Sequence, residues 1–221
     1  MTRFWKVCQL RHSVSTLLYM ADIPEPKGTL VVTFADDTAL LASHEEYHTA
    51  MMRLQKALTA INTWPRWWKI QLNIGKTVRI DYTLRPATYE PVSIGGTDIQ
   101  KKESARYLGI HLDDKLNWRS HISKKREELK LQFRALHWML RAKSQLSLNN
   151  KRLLYLMLLR PIWTYGAPLW GSAAASNIEI LQRFQNLVLR KITGAPWFIT
   201  NRQLHEDLRI ETFTDVISKI T

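Results

Sequence analysis

The sequence predicts an α+β chain, β-rich with one helix as far as residue 113 and helical beyond it. Three observations point there. β-type runs, alternating or continuously apolar, recur at 30–41, 78–84, 92–99 and 107–112. From Asp113 onward apolar residues fall three and four apart, the period of a helix buried on one face. Charge changes at the same place: of a net +13 over 221 residues, +10 lies in residues 101–160, where 15 Lys and Arg face 5 Asp and Glu.

The first β-type pair, Leu30 to Leu41, sets Asp36 and Asp37 side by side between two apolar runs. Neither is followed by Gly, so the usual Asn-Gly or Asp-Gly preference of a two-residue hairpin does not account for them. Two ionised carboxylates about 4 Å apart repel by about 4 kcal/mol at an effective dielectric of 20. A site that keeps both charges points to a divalent cation, most simply Mg²⁺. An Asp-rich turn is the plainer alternative.

Ser43 and Glu46 match an S-x-x-E capping box, opening a helix whose stripe is Tyr47, Met51, Leu54, Leu58 and Ile61. Pro65 is expected to end or kink it. Trp64, Trp67 and Trp68 read as core packing ahead of a base-stacking platform. Val78, Ile80, Tyr82 and Leu84 alternate with Arg79, Asp81 and Thr83 as a half-buried strand. Val92 to Ile99 reads as a hairpin turning at Gly95-Gly96. Tyr107 to Leu112 reads as one strand, in which Gly109 marks a bulge or a close backbone approach.

Between His121 and Lys143 the buried stripe is Ile122, Leu129, Phe133, Leu136 and Leu140, with Lys124, Lys125, Lys130, Arg134 and Arg141 mostly off it. A helix is expected over 148–160, then an aromatic segment broken by Gly and Pro from Trp163 to Trp170. Ser176 and Glu179 cap a further helix through Leu181, Phe184 and Val188, which stops at Gly194-Ala195-Pro196. Short helical pieces finish the chain.

Composition narrows the function. At 45% hydrophobic residues and with nine Trp, the chain can bury a core and is not a disordered tail. The single cysteine, Cys8, excludes an internal disulfide and fits a reducing compartment. The longest charge-free stretch, Pro161 to Ile178, carries Gly166, Pro168 and Gly171 and does not read as a membrane span. Arg3, Lys6 and Arg11 without an acid in the first 21 residues are a faint presequence feature, but no apolar core follows them. A cationic block of this size points to a polyanion, nucleic acid before membrane.

Four segments in order resemble the reverse transcriptases of non-LTR retrotransposons of the jockey-like kind. Phe34-Ala35-Asp36-Asp37 resembles the Y/F-A-D-D box, and Leu72-Asn73-Ile74-Gly75-Lys76-Thr77 the L-N-x-x-K-[ST] segment after it. Tyr107-Leu108-Gly109-Ile110-His111-Leu112-Asp113 resembles the Y-L-G-[IV]-x-[IL]-D strand near the end of the palm. The segment from Arg160 to Gly171 resembles the one beyond the thumb. The resemblance implies a partial polymerase palm of antiparallel hairpins plus a helix over 1–113, a helical thumb-like basic region over 114–160 and a C-terminal helical segment over 161–221. It implies RNA-directed DNA synthesis by two-metal nucleotidyl transfer, with RNA template, DNA primer and dNTPs as partners and a nuclear or cytoplasmic setting. Asp36 and Asp37 would bind two Mg²⁺ ions, or Mn²⁺ in their stead. Lys76 would face the triphosphate, an exposed loop lysine being the alternative. Gly109 would approach the primer backbone, and Lys124, Lys125, Lys130, Arg134 and Arg141 would track the template–primer phosphates.

The departure from that pattern is as informative. A complete palm needs another metal-binding Asp upstream, in an F-D-x-V-type box; the sole Asp before Asp36 is Asp22, in a linker-like Ala21-Asp22-Ile23-Pro24. The expectation is therefore a C-terminal fragment, inactive alone. A non-enzymatic nucleic-acid-binding remnant fits the same charge block. A zinc protease is the remote alternative, since His44-Glu45-Glu46-Tyr47-His48 matches H-E-x-x-H, but the further ligands of that class are missing from the expected positions.

Overall fold

Strand β1 (Thr2–Leu10) is an interior strand of the four-stranded antiparallel sheet that organises the first half of the chain. The computed structural model describes residues 2–10, 22–35, 37–68, 72–83 and 91–220, with backbone alone for 2–10 and 65–68. The chain divides into two compact units, Met1–Leu116 and Asn117–Thr221. The fold is mixed α+β, small antiparallel sheets followed by helices.

In the first unit β2 (Thr29–Phe34), β3 (Asp37–His44), β1 and β4 (Leu72–Tyr82) lie in the order β2-β3-β1-β4. Helix α1 (Tyr47–Trp68) covers the sheet. Its expected stripe is the observed one: Met51, Leu54, Leu58 and Ile61 are buried against Leu40 and Ala42 of β3 and against Val92, Ile94 and Ile99. Each such aliphatic side chain withdrawn from water contributes about 1.5–3 kcal/mol before entropy is counted. Trp64 is also buried and donates its indole N–H to Asp22 at 3.1 Å.

Several local expectations need correction. No capping box opens α1. Ser43 sits within β3 opposite Arg3, and Glu46 occupies the cap position, its carbonyl accepting from Ala50 and its carboxylate from the Thr49 hydroxyl. Pro65 does not end the helix, which continues to Trp68. So close to the C-terminus it withdraws one N–H from the ladder and leaves the rest in place. The strand at 78–82 is not half-buried, because Arg79, Ile80, Asp81 and Tyr82 are all buried. Its polar face survives there as an ion pair, Arg79 Nε to Asp81 Oδ1 at 2.8 Å, reinforced by Lys101 and the Tyr47 hydroxyl.

The hairpin β5 (Ser93–Ile94) and β6 (Thr97–Asp98) turns at Gly95 and Gly96, both with positive φ, as expected. The segment 107–112 is a second hairpin and not one strand. β7 (Ser104–Tyr107) pairs with β8 (Ile110–Asp113), and Leu108 and Gly109 are the turn, with φ of 44° and 78°. A leucine in the left-handed region is rare, which is why the sequence reads through it.

The second unit is helical: α2 (Arg119–Leu140), α3 (Leu148–Leu154), a π-helical turn (Tyr155–Leu159), α4 (Arg160–Thr164), α5 (Ala167–Trp170), α6 (Ala175–Thr193), α7 (Asn201–Leu208) and α8 (Phe213–Ile220). The segment from Arg160 to Gly171 supplies its core. Trp163 is buried and stacks on Phe213 with ring centroids 3.8 Å apart, and Trp170 is fully buried. Gln185 of α6, also buried, donates to the Tyr155 hydroxyl and to the Glu211 carbonyl, both at 2.9 Å. Helices on either side of residue 160 thus share one core. Ser176 lies inside the first turn of α6 and does not cap it, whereas Glu179 pairs with Arg183. No helix among the described residues is long and apolar enough to cross a membrane.

Candidate active site and nucleic-acid interface

β2 and β3 are consecutive antiparallel strands. Phe34 pairs with Asp37, and Ala35 takes a φ of 51°, the conformation a tight hairpin demands and one that Gly would adopt without cost. Asp36 lies outside the described residues, so its side chain is not placed. Asp37 is half-buried and opens β3, opposite Gln9 of β1.

Gln9 also pairs, on its other side, with Asn73 of β4. Two strand spacings therefore separate Asp37 from Asn73, about 10 Å across the sheet. Beyond Asn73 the register slips, since Val7 pairs with Val78. The residues between bulge outward, with Lys76 exposed on them. Asn73 holds that bulge: its Oδ1 accepts the Lys76 N–H at 3.2 Å and its carbonyl accepts the Thr77 hydroxyl at 3.0 Å. Asp37 and the Lys76 bulge thus stand at one end of one sheet. The Tyr107 phenol is held above its ordinary pKa by burial first and by the Asp37 charge second. Gly109 lies two residues on, in the β7–β8 turn.

The predicted phosphate-tracking cations divide into two sets. Lys124, Lys130, Arg134 and Arg141 are exposed, Lys130 at 3.8 Å from Glu127. Lys125 is buried instead, paired with Glu128 at 2.8 Å and 5.8 Å from the Tyr165 ring centre. Other members of the cationic block also serve the fold: Lys151 donates to the Ala142 carbonyl, Arg152 to that of Leu208 and Arg160 to the Glu211 carboxylate. Arg126, which the sequence reading passed over, is exposed and leads Arg126, Lys130 and Arg134, spaced by four along one face of α2. That spacing was the available signal.

The zinc alternative fails on geometry. It needs both histidines on one helix face, yet His44 ends β3, where its Nδ1 accepts the Glu46 N–H at 3.1 Å, and only His48 is on α1. Among the described residues no three His, Cys, Asp or Glu side chains group to hold a metal.

The chain is homologous over most of its length to the reverse transcriptases of non-LTR retrotransposons. Among its relatives is a probable RNA-directed DNA polymerase from transposon X-element of Drosophila melanogaster, 36% identical over 207 residues, covering 91% of this chain and 23% of that protein. A probable RNA-directed DNA polymerase from transposon BS of the same fly is 34% identical over 215 residues, covering 92% and 24%. The RNA-directed DNA polymerase from its mobile element jockey is 30% identical over 196 residues, covering 89% and 21%. The chain spans less than a quarter of the length of these curated relatives. No family model matches it.

Proposed function

We propose that the chain is part of an RNA-directed DNA polymerase, its first unit carrying part of the palm and its second unit a thumb-like grip on the RNA–DNA duplex. The observation that supports this most directly is the sheet register, which sets Asp37 and the Lys76 bulge at the same sheet end, where an acidic metal tip and a triphosphate-facing lysine would be needed. In the complete enzyme Mg²⁺ held at Asp36 and Asp37 would polarise the primer hydroxyl and neutralise the leaving pyrophosphate. Among the described residues no metal-holding cluster forms, which is consistent with an incomplete site, and our reading is that the 221 residues by themselves grip nucleic acid without extending it. Arg126, Lys130 and Arg134 are the phosphate contacts we assign to α2.

The test has two arms. Purified protein with Mg²⁺, poly(rA)/oligo(dT) and dTTP should incorporate no more than the Asp36→Asn variant; robust Asp36-dependent synthesis would overturn the view that the chain lacks chemistry alone. An RNA–DNA duplex should bind with steep salt dependence, and the triple change Arg126→Glu, Lys130→Glu and Arg134→Glu should lower the slope of log K against log salt by about 3. An unchanged slope would remove α2 from the interface. If synthesis is absent and Asp36→Ala with Asp37→Ala leaves duplex affinity intact, the chain acts as a binding remnant of the polymerase.

A further inference from the structure

The second unit contains a cleft of about 940 Å³ that neither the acidic tip nor the Arg126 face of α2 explains. It lies between the end of α2, the last turns of α6 and the segment that follows α6. Arg141, Lys143, Arg183, Arg190 and Lys191 line it, and among the described residues that line it there is no Asp or Glu. Arg183 is partly neutralised by Glu179 at 2.9 Å. Arg190 is spent on the wall: its guanidinium donates to the carbonyls of Pro196 and Ile199 and to Asn201 Oδ1. Arg141, Lys143 and Lys191 are exposed at the cleft.

The loop that Arg190 pins carries Trp197 to the cleft mouth, where the indole is 89% exposed. Phe198 follows, 64% exposed and edge-on to it at 6.1 Å. The loop's start is equally constrained. Gly194 ends α6 with a φ of 70°, and a Cβ there would stand 2.8 Å from that of Ala142. A large aromatic ring held out in water on a braced loop, next to the exposed Arg141, Lys143 and Lys191, has the makings of a stacking platform beside a phosphate track.

We propose that this cleft binds single-stranded nucleic acid, one base stacking on Trp197 while the adjoining phosphates meet Arg141, Lys143 and Lys191. It rests on the nucleic-acid reading above but assigns a separate surface and a separate ligand form. The cations would accept any polyanion; the ring selects one that has bases.

The experiment uses the full chain and a short fluorescein-labelled oligouridylate, followed by anisotropy, with inorganic polyphosphate as competitor. Trp197→Ala should weaken binding about tenfold and Trp197→Phe much less, because a smaller ring still stacks. Arg141→Glu with Lys191→Glu should weaken binding to the oligonucleotide and to polyphosphate alike. Unfolding curves of each variant should match the parent, since these side chains are exposed. The Arg126, Lys130 and Arg134 variant should lose duplex affinity yet keep oligouridylate affinity, which separates this site from the α2 face. Oligouridylate binding that is indifferent to Trp197→Ala, or displaced equally well by polyphosphate and by unlabelled RNA, would overturn the proposal.

Discussion

Arg79 and Asp81 show how a polar sequence position becomes a buried one. Both side chains are withdrawn from solvent, and Asp81 is further held by Lys101 at 3.1 Å and the Tyr47 hydroxyl at 3.2 Å. Breaking one partner leaves the other charged in a low-dielectric site, so Arg79→Ala is expected to destabilise the first unit by about 3 kcal/mol in urea unfolding. Replacing both, as Arg79→Met with Asp81→Leu, is expected to recover most of that loss, because no buried charge then remains. The sequence shows only alternation at this strand. That Arg79 faces a packed interior depends on Lys101 and Tyr47, 22 and 32 positions away. Lys125 carries the same lesson, since its i+3 partner Glu128 is visible in the sequence but the Tyr165 ring beside it is not.

Among elements, periodicity proved more legible than boundaries. The stripe of α1 and the stop of α6 at Gly194 follow from spacing and from the left-handed cap that glycine favours. Caps misled, because S-x-x-E is a local signal and strand pairing can claim its serine first, as β3 claims Ser43. A contrast checks this. Ser147 accepts the Asn150 N–H at the start of α3, so Ser147→Ala is expected to cost about 1 kcal/mol. Ser176→Ala is expected to leave the unfolding midpoint unchanged, since α6 starts without a side-chain cap. Equal losses at the two serines would contradict the assigned helix starts. The β7–β8 turn was hidden for a different reason: Leu108 carries none of the residue preference that marks a tight turn, and only pairing across the hairpin forces its φ positive.

For the molecule as a whole, the question is how an excess of positive charge is reconciled with folding. Part of it is neutralised by acids drawn from distant segments. Glu211 binds Arg160 of α4 at 2.9 Å and Lys219 of α8, and these hydrogen bonds, Lys219 first, hold its carboxyl below the ordinary value of 4.5. A depressed carboxyl stabilises the fold above its unfolded-state pKa, and that contribution is lost as pH falls through the lower folded value. Acid titration of stability should therefore show a loss below about pH 4.5 that Glu211→Gln removes, with a modest amplitude because the group is partly exposed. A parent and variant with superimposable acid limbs would refute it. Arg126 on α2 and Arg141, Lys143 and Lys191 around the cleft are exposed, where a polyanion can reach them.

The amino-acid sequence by itself determined the α+β class with sheets ahead of helices, the apolar stripe of α1 and kinship with retrotransposon polymerases, because each is written in spacing or in contiguous motifs. Tertiary structure alone decided which cations are buried and which exposed, that β1 runs between the Asp37 strand and the Asn73 strand, and that a braced Trp197 overlooks a basic cleft. Those depend on segments tens of residues apart meeting in space. No local pattern encodes such meetings, since burial and pairing are properties of the folded chain.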